Sequence, residues 1–242
     1  MGGLEYNWID KPLGHNILMT LSLDRLLPLE PSSRSIPQWV SMTWAEYEQW
    51  RDRPTGKTAQ WYFDRNLFLV RDMSWEGISH AEVKDLFILL ISLWYMAHPN
   101  QKARSFSGGL LERSGLQAAS PDLLLYLGEG APRWKSGETR RIDLDQWRVP
   151  NLVGEISDTT LASDLHEMKD IYAAIGVPEY WVIDIQGRRV LMFVLEGMRY
   201  RQVEASTVMV GLTVGLLEEA LGRWEQEEGI EIGNWFMPQI SA

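Results

Sequence analysis

Pro121-Asp122-Leu123-Leu124-Leu125-Tyr126-Leu127 and Leu152-Val153-Gly154-Glu155-Ile156-Ser157 are the two runs whose reading decides the fold. The first is an unbroken apolar stretch after a proline, too short for a helix and closed by Gly128-Glu129-Gly130, so it reads as a strand covered on both faces. Asp122 then stands at its mouth. The second run is similar, except that Glu155 interrupts it and Gly154 removes a side chain, leaving room for a close approach to the backbone. A carboxylate in such a place must be paired, hydrated or metal-bound, because an isolated buried charge is costly.

Downstream, Leu165, Met168, Ile171, Tyr172 and Ile175 recur at helical spacing. Ser163 or Asp164 is placed to cap that helix, Glu167 lies three residues after Asp164 as in a capping box, and Gly176 followed by Pro178 ends it. Lys169 flanks the apolar stripe. Tyr180 to Ile185 and Arg189 to Leu195 read as two further strands joined across Gln186-Gly187-Arg188. Two acids on neighbouring strands with a lysine close by can hold a divalent cation and a water nucleophile. An ordinary set of strand-edge acids and a helix lysine explains the same pattern on the residues alone, since an acid pair is a weak motif.

The run Ala119-Ser120-Pro121-Asp122-Leu123, then Leu152 to Thr160, then Asp164-Leu165 with Lys169 and Tyr172, then Gly176-Val177-Pro178-Glu179-Tyr180-Trp181-Val182-Ile183-Asp184, closely resembles the Uma-type putative restriction endonuclease family, part of the PD-(D/E)xK nuclease superfamily. The resemblance covers Thr43 to Trp224. It implies an α/β (α+β) fold with a restriction-endonuclease-like core, a mixed central β-sheet flanked by helices. It also implies a metal-dependent endonuclease acting on nucleic acid, DNA ahead of RNA. Carried over, Asp122 and Glu155 are the metal carboxylates, helped by the backbone carbonyl of Ile156, and the cofactor is Mg2+ or Mn2+. The superfamily lysine two residues after the glutamate is Ser157 here, and the resemblance moves that role to Lys169 on the next helix. Asp64 takes the place of a further carboxylate, while Asp164 and Tyr172 are accessory candidates beside the metal.

The rest of the chain sets bounds. A single domain at 43–224 with an irregular N-terminal arm at 1–42, an insertion at 128–150 and a C-terminal tail at 225–242 is the expected organisation. The sequence has no cysteine, which excludes a disulfide framework and cysteine-ligated zinc and fits the cytoplasm. The longest apolar block, Leu86 to Ala97, is about half of a membrane span, so no membrane partner is expected. Thr55-Gly56-Lys57-Thr58 is not a phosphate loop, because Arg51 stands where the first glycine belongs. Thr43 to Trp50 is a capped helix, Trp61 to Val70 a strand, and Ser79 to Ala97 a core helix with Val83, Leu86, Phe87, Leu90 and Trp94 on one stripe. His80 near its start is a further accessory candidate. The other histidines lack matched ligand spacing, which favours oxygen ligands and hence magnesium or manganese over zinc.

A formal charge of −10 cuts against long-duplex binding, since phosphate neutralisation supplies much of such affinity. The 128–150 insertion interleaves Arg133, Lys135, Arg140, Arg141 and Arg148 with Trp134 and Trp147, a pattern that can track phosphates and stack on bases. A solvated arm or a homodimer contact uses the same residues. Leu212 to Trp224 is a surface helix with an acidic outer face. The competing function class is a non-catalytic binding or scaffold protein on a nuclease fold, acting with a partner, because fold does not guarantee activity.

Overall fold

A strand whose successive side chains are all apolar must be covered on both faces, and Leu123–Leu127 is so covered in the computed structural model. Leu123 and Leu125 enter one core, Leu124 and Tyr126 another. The structure describes residues 38–52, 59–73, 77–133, 135–137 and 141–240, all within the unit Pro37–Ala242. Residues 1–37 of the expected N-terminal arm and the Thr55–Thr58 segment therefore lie outside the described residues.

In chain order the elements are β1 (Val40–Ser41), α1 (Trp44–Arg51), β2 (Ala59–Asp64), β3 (Leu67–Asp72), α2 (Ile78–Ala97), β4 (Ala103–Phe106), β5 (Leu110–Arg113), β6 (Gln117–Ala119), β7 (Leu123–Leu127), β8 (Arg141–Asp143) and β9 (Leu152–Ser157). A helical turn at Leu161–Ser163 and a π-helical turn at Asp164–Met168 then lead into α3 (Lys169–Ile175), followed by β10 (Glu179–Asp184), β11 (Arg189–Glu196), β12 (Arg199–Val203), α4 (Val214–Trp224) and α5 (Gly229–Ile240).

The resemblance implies one mixed central sheet, and the molecule has two mixed sheets of six strands, ordered β1-β3-β2-β6-β5-β8 and β12-β11-β10-β9-β7-β4. In the second sheet β9 and β10 run parallel, with Glu155 beside Val182, and the helical segment ending in α3 makes the crossover; parallel neighbours require such a connection. β10 and β11 form the expected antiparallel hairpin. One face of this sheet packs on α2, α4 and α5, and the other on α3 and residues of the first sheet such as Tyr62, Leu69 and Leu111. Among the described residues, no helix is long and apolar enough to cross a membrane.

Several local signals are realised as read. Thr43 accepts from the Glu46 N–H while the Glu46 carboxylate accepts from Thr43, completing a capping box on α1. Gly176 closes α3 with φ of 87°, its N–H donating to the Tyr172 and Ala173 carbonyls. From β5, the Arg113 guanidinium donates to the Ala174 and Ile175 carbonyls, a cation at the negative end of the helix. A Cβ at position 176 meets no neighbour, so Gly176→Ala carries only the left-handed backbone penalty. We expect a loss of roughly 1–2 kcal/mol, read as a lower midpoint in urea with an unchanged slope.

Other signals are not. Trp61 to Val70 is a hairpin: β2 and β3 pair antiparallel, and the turn places Arg65 at φ 43° and Asn66 at φ 73°, the geometry of a type I′ turn. Asp164 does not cap a helix by a side-chain bond to its backbone; it lies three residues inside one that starts at Leu161. Where the sequence leads one to expect a tail, α5 buries Ile232, Phe236 and Ile240 in the core beside α2.

Candidate active site

The chain passes from the first sheet to the second through Ser120-Pro121-Asp122, between β6 and β7. β7 pairs antiparallel with β9 with Leu123 opposite Gly154, so one further step of that register sets Asp122 opposite Glu155. The room left by Gly154 is filled by Leu123: a Cβ there would stand 3.2 Å from Leu123 Cδ1. The glycine thus lets the two acid-bearing strands close together.

Asp122 is 2 % exposed and its two oxygens carry four donors. Oδ1 accepts from Gln60 Nε2 at 3.0 Å and Lys84 Nζ at 3.1 Å. Oδ2 accepts from the Ile156 N–H at 2.9 Å and faces His80 Nε2 at 3.3 Å, an arrangement that requires Nε2 to carry the proton. Burial pushes the Asp122 carboxyl up, but His80, Lys84 and the Ile156 N–H together outweigh it and hold the group below the usual carboxylate range. Glu155 is the opposite case. Burial first, then the neighbouring Asp122 and Asp164 charges, drive its carboxyl well above the ordinary value. Its Oε1 accepts from Tyr172 Oη at 2.6 Å and lies 3.2 Å from Tyr62 Oη.

Glu155 Oε2 is buried without a partner among the described residues. The other buried acids of the described residues each have a hydrogen bond or an ion pair on both oxygens or a cation beside them. Glu112 is engaged by Tyr47, Arg51 and Arg141, and Asp184 by Arg189 and the Gly187 N–H. Glu179 accepts from Trp181, Ser206, Thr207 and Val208 and so fastens the loop after β12. Asp164 takes Ser157 and Thr160 hydroxyls on Oδ2 and Arg71 on Oδ1 at 2.9 Å. A structural buried glutamate in this protein is saturated, and Glu155 is not.

The remaining candidates are spread out. Tyr172 reaches Glu155, and His80, 5 % exposed, reaches Asp122. Asp164 lies behind the acid pair, close enough for its charge to raise Glu155. The Lys169 ammonium sits over the Phe193 ring, 4.3 Å from its centroid; among the described residues no hydrogen bond or ion pair joins it to either acid. Asp64 pairs with Arg65 and accepts from Gln117, away from the acids. In the insertion, Arg133 and Lys135 are exposed, Arg141 pairs with Glu112 at 3.2 Å, and Arg148 bonds the Glu129 and Leu127 carbonyls with its guanidinium over the Tyr126 ring. Arg140 and Trp134 lie outside the described residues.

Three groups of the site were not read from the sequence: Lys84, Gln60 and Arg71. His80 and Lys84 are four apart at the start of α2 and so share a face, which is the signal that could have found Lys84. Gln60 and Tyr62 alternate on β2 and point the same way. Arg71 is buried with its guanidinium 4.9 Å from the Tyr62 ring centroid.

A divalent cation would suit the open Glu155 oxygen. Two carboxylates and a backbone carbonyl leave room for several waters, as magnesium prefers. Among the described residues no cluster of three His, Cys, Asp or Glu side chains stands ready as a metal cage.

A search of curated proteins finds no match to this chain. Among solved structures the chain is similar to one described as the "crystal structure of a putative nuclease belonging to DUF820 from Anabaena variabilis ATCC 29413", with a TM-score of 0.50 and 15% identity over 74% of this chain and 99% of that one. At that identity the likeness concerns the fold. The family model Uma2, described as "Putative restriction endonuclease", matches residues 44–225, and with most of its length so matched the chain belongs to the Uma2 family.

Proposed function

We propose that this protein is a divalent-cation-dependent endonuclease that hydrolyses phosphodiester bonds of nucleic acid, DNA ahead of RNA. The observation that carries the proposal is Glu155 Oε2, buried with neither a hydrogen bond nor an ion pair among the described residues, beside an ionised Asp122. A buried oxygen of this kind is costly unless something else satisfies it. Asp122, Glu155 and the Ile156 carbonyl are the ligands we assign, and the ion is Mg2+ or Mn2+.

When bound, the cation supplies a more acidic water and takes up charge building on the phosphate. The chain's own part is positional. The Ile156 N–H and His80 fix Asp122 Oδ2, while Tyr172 and Tyr62 fix Glu155 Oε1, which leaves Glu155 Oε2 as the free valence of the pair. These partners come from four different elements, and each is itself buried or half-buried, so the acid pair is preorganised before any substrate arrives. Lys169, nominated by the family resemblance, stays a candidate for the ammonium of the site on the strength of its helix, which also supplies Tyr172.

The test is direct. Purified protein incubated with supercoiled DNA, linear DNA or RNA is expected to cut DNA with Mn2+ or Mg2+ and to stop on addition of EDTA. Intact DNA and RNA at every metal concentration would instead favour the scaffold reading, for which the net charge of −10 speaks.

A further inference from the structure

Asp122 is a saturated acceptor. Of its four donors, the Ile156 N–H is main chain in β9, Gln60 is anchored on β2, and the His80 side chain is 6 % exposed. Lys84 differs in each respect: its side chain is 23 % exposed, its stem is flexible, and it carries the same sign of charge as any metal that would approach. A cation bridging Asp122 and Glu155 needs an Asp122 oxygen, and of the donors on that carboxylate Lys84, with its long, partly exposed side chain, is the one placed to turn to solvent and release Oδ1.

We propose that the Lys84 ammonium is the resident cation of this site and competes with a divalent metal ion for Asp122 Oδ1. The proposal rests on the assignment of Asp122 and Glu155 as metal ligands. Lys84 pairs with Asp122 Oδ1 at 3.1 Å while no metal is held, and metal entry exchanges one cation for another, so the carboxylate is never left without a cation on that oxygen. Competition of this kind sets the metal concentration at which the site loads. It also separates the two lysines, because the Lys169 amine rests on Phe193 and has no part in the exchange.

The experiment is Mn2+ binding to the full chain, followed by the electron paramagnetic resonance signal of free Mn2+, for wild type, Lys84→Met, Lys84→Arg, Lys169→Met and Asp122→Asn, with thermal melts to show that each is folded. Lys84→Met is expected to bind Mn2+ about tenfold more tightly, the scale of removing one charge a few ångströms away when the displaced ammonium is largely screened by water. Lys84→Arg, which keeps the charge, and Lys169→Met should stay within about threefold of wild type on the same scale. Equal or weaker binding by Lys84→Met, with wild-type binding still lost in Asp122→Asn, overturns the Lys84 role alone. Tightening in Lys84→Arg equal to that in Lys84→Met also overturns it, since charge would then not be the cause. No Mn2+ binding by any of the five proteins overturns the metal assignment and this proposal with it.

Discussion

Asp122→Asn is expected to lower divalent-cation-dependent cleavage of DNA by roughly two orders of magnitude or more, the scale on which loss of one preorganised charge-stabilising group appears in turnover. The substitution is nearly isosteric. An amide oxygen can still accept from the Ile156 N–H, so the junction between β7 and β9 should hold, while the negative charge that a metal ion requires is gone. Lys84 then loses its ion pair, but its partly exposed side chain can turn to water at little cost. Activity should therefore fall far more than stability does. A variant that melts as wild type and cuts at the wild-type rate would remove Asp122 from the chemistry and leave the acid pair a packing feature.

The largest effect on stability is expected at Arg71→Ala. This guanidinium is buried, with NH1 2.9 Å from Asp164 Oδ1, NH2 donating to Ser163 Oγ at 2.6 Å, and its plane over the Tyr62 ring. It joins β3 to the π-helical turn that leads into α3. Truncation strands a fully buried carboxylate whose other oxygen already holds the Ser157 and Thr160 hydroxyls. Breaking one side of a buried ion pair costs about 3–5 kcal/mol, and in a protein of this size that is roughly 6–20 °C of melting temperature. Adding Asp164→Asn to the Arg71→Ala background should recover part of the loss, since the neutral amide no longer needs the cation. A double-mutant cycle measures that coupling; additive losses would show that Arg71 stabilises by packing on Tyr62 and not through Asp164.

Much of the second sheet was legible because its strands are continuous apolar runs buried on both faces, and because Gly176 and the 3.6-residue stripe of α2 are strong local signals. The first sheet was hidden. β1, β5, β6 and β8 have two to four residues each, too few for a period to show. The β2–β3 turn uses Arg65 and Asn66 in the left-handed region without a glycine to announce it. α5 contains Gly233 and Pro238, which argue locally against a helix, and it is held by burial against α2. In the site, Asp122 and Glu155 were found by being charged within apolar runs. Lys84 and Arg71 were not, because what makes them matter is a partner far along the chain, at Asp122 and Asp164. The buried position of His80 likewise depends on the sheet that α2 covers.

The Ser120-Pro121-Asp122 crossing between the two sheets has a consequence for biosynthesis. A nascent chain on the ribosome presents β6, the crossing and Asp122 well before Glu155, Tyr172 and the β9–β10 pair have been translated. Until β9 slots in beside β7, the constellation of acids does not exist. An abortive or proteolytically shortened product ending before Leu152 therefore lacks the acid pair altogether, and whatever activity the proposed site has can begin only once β9 is in place.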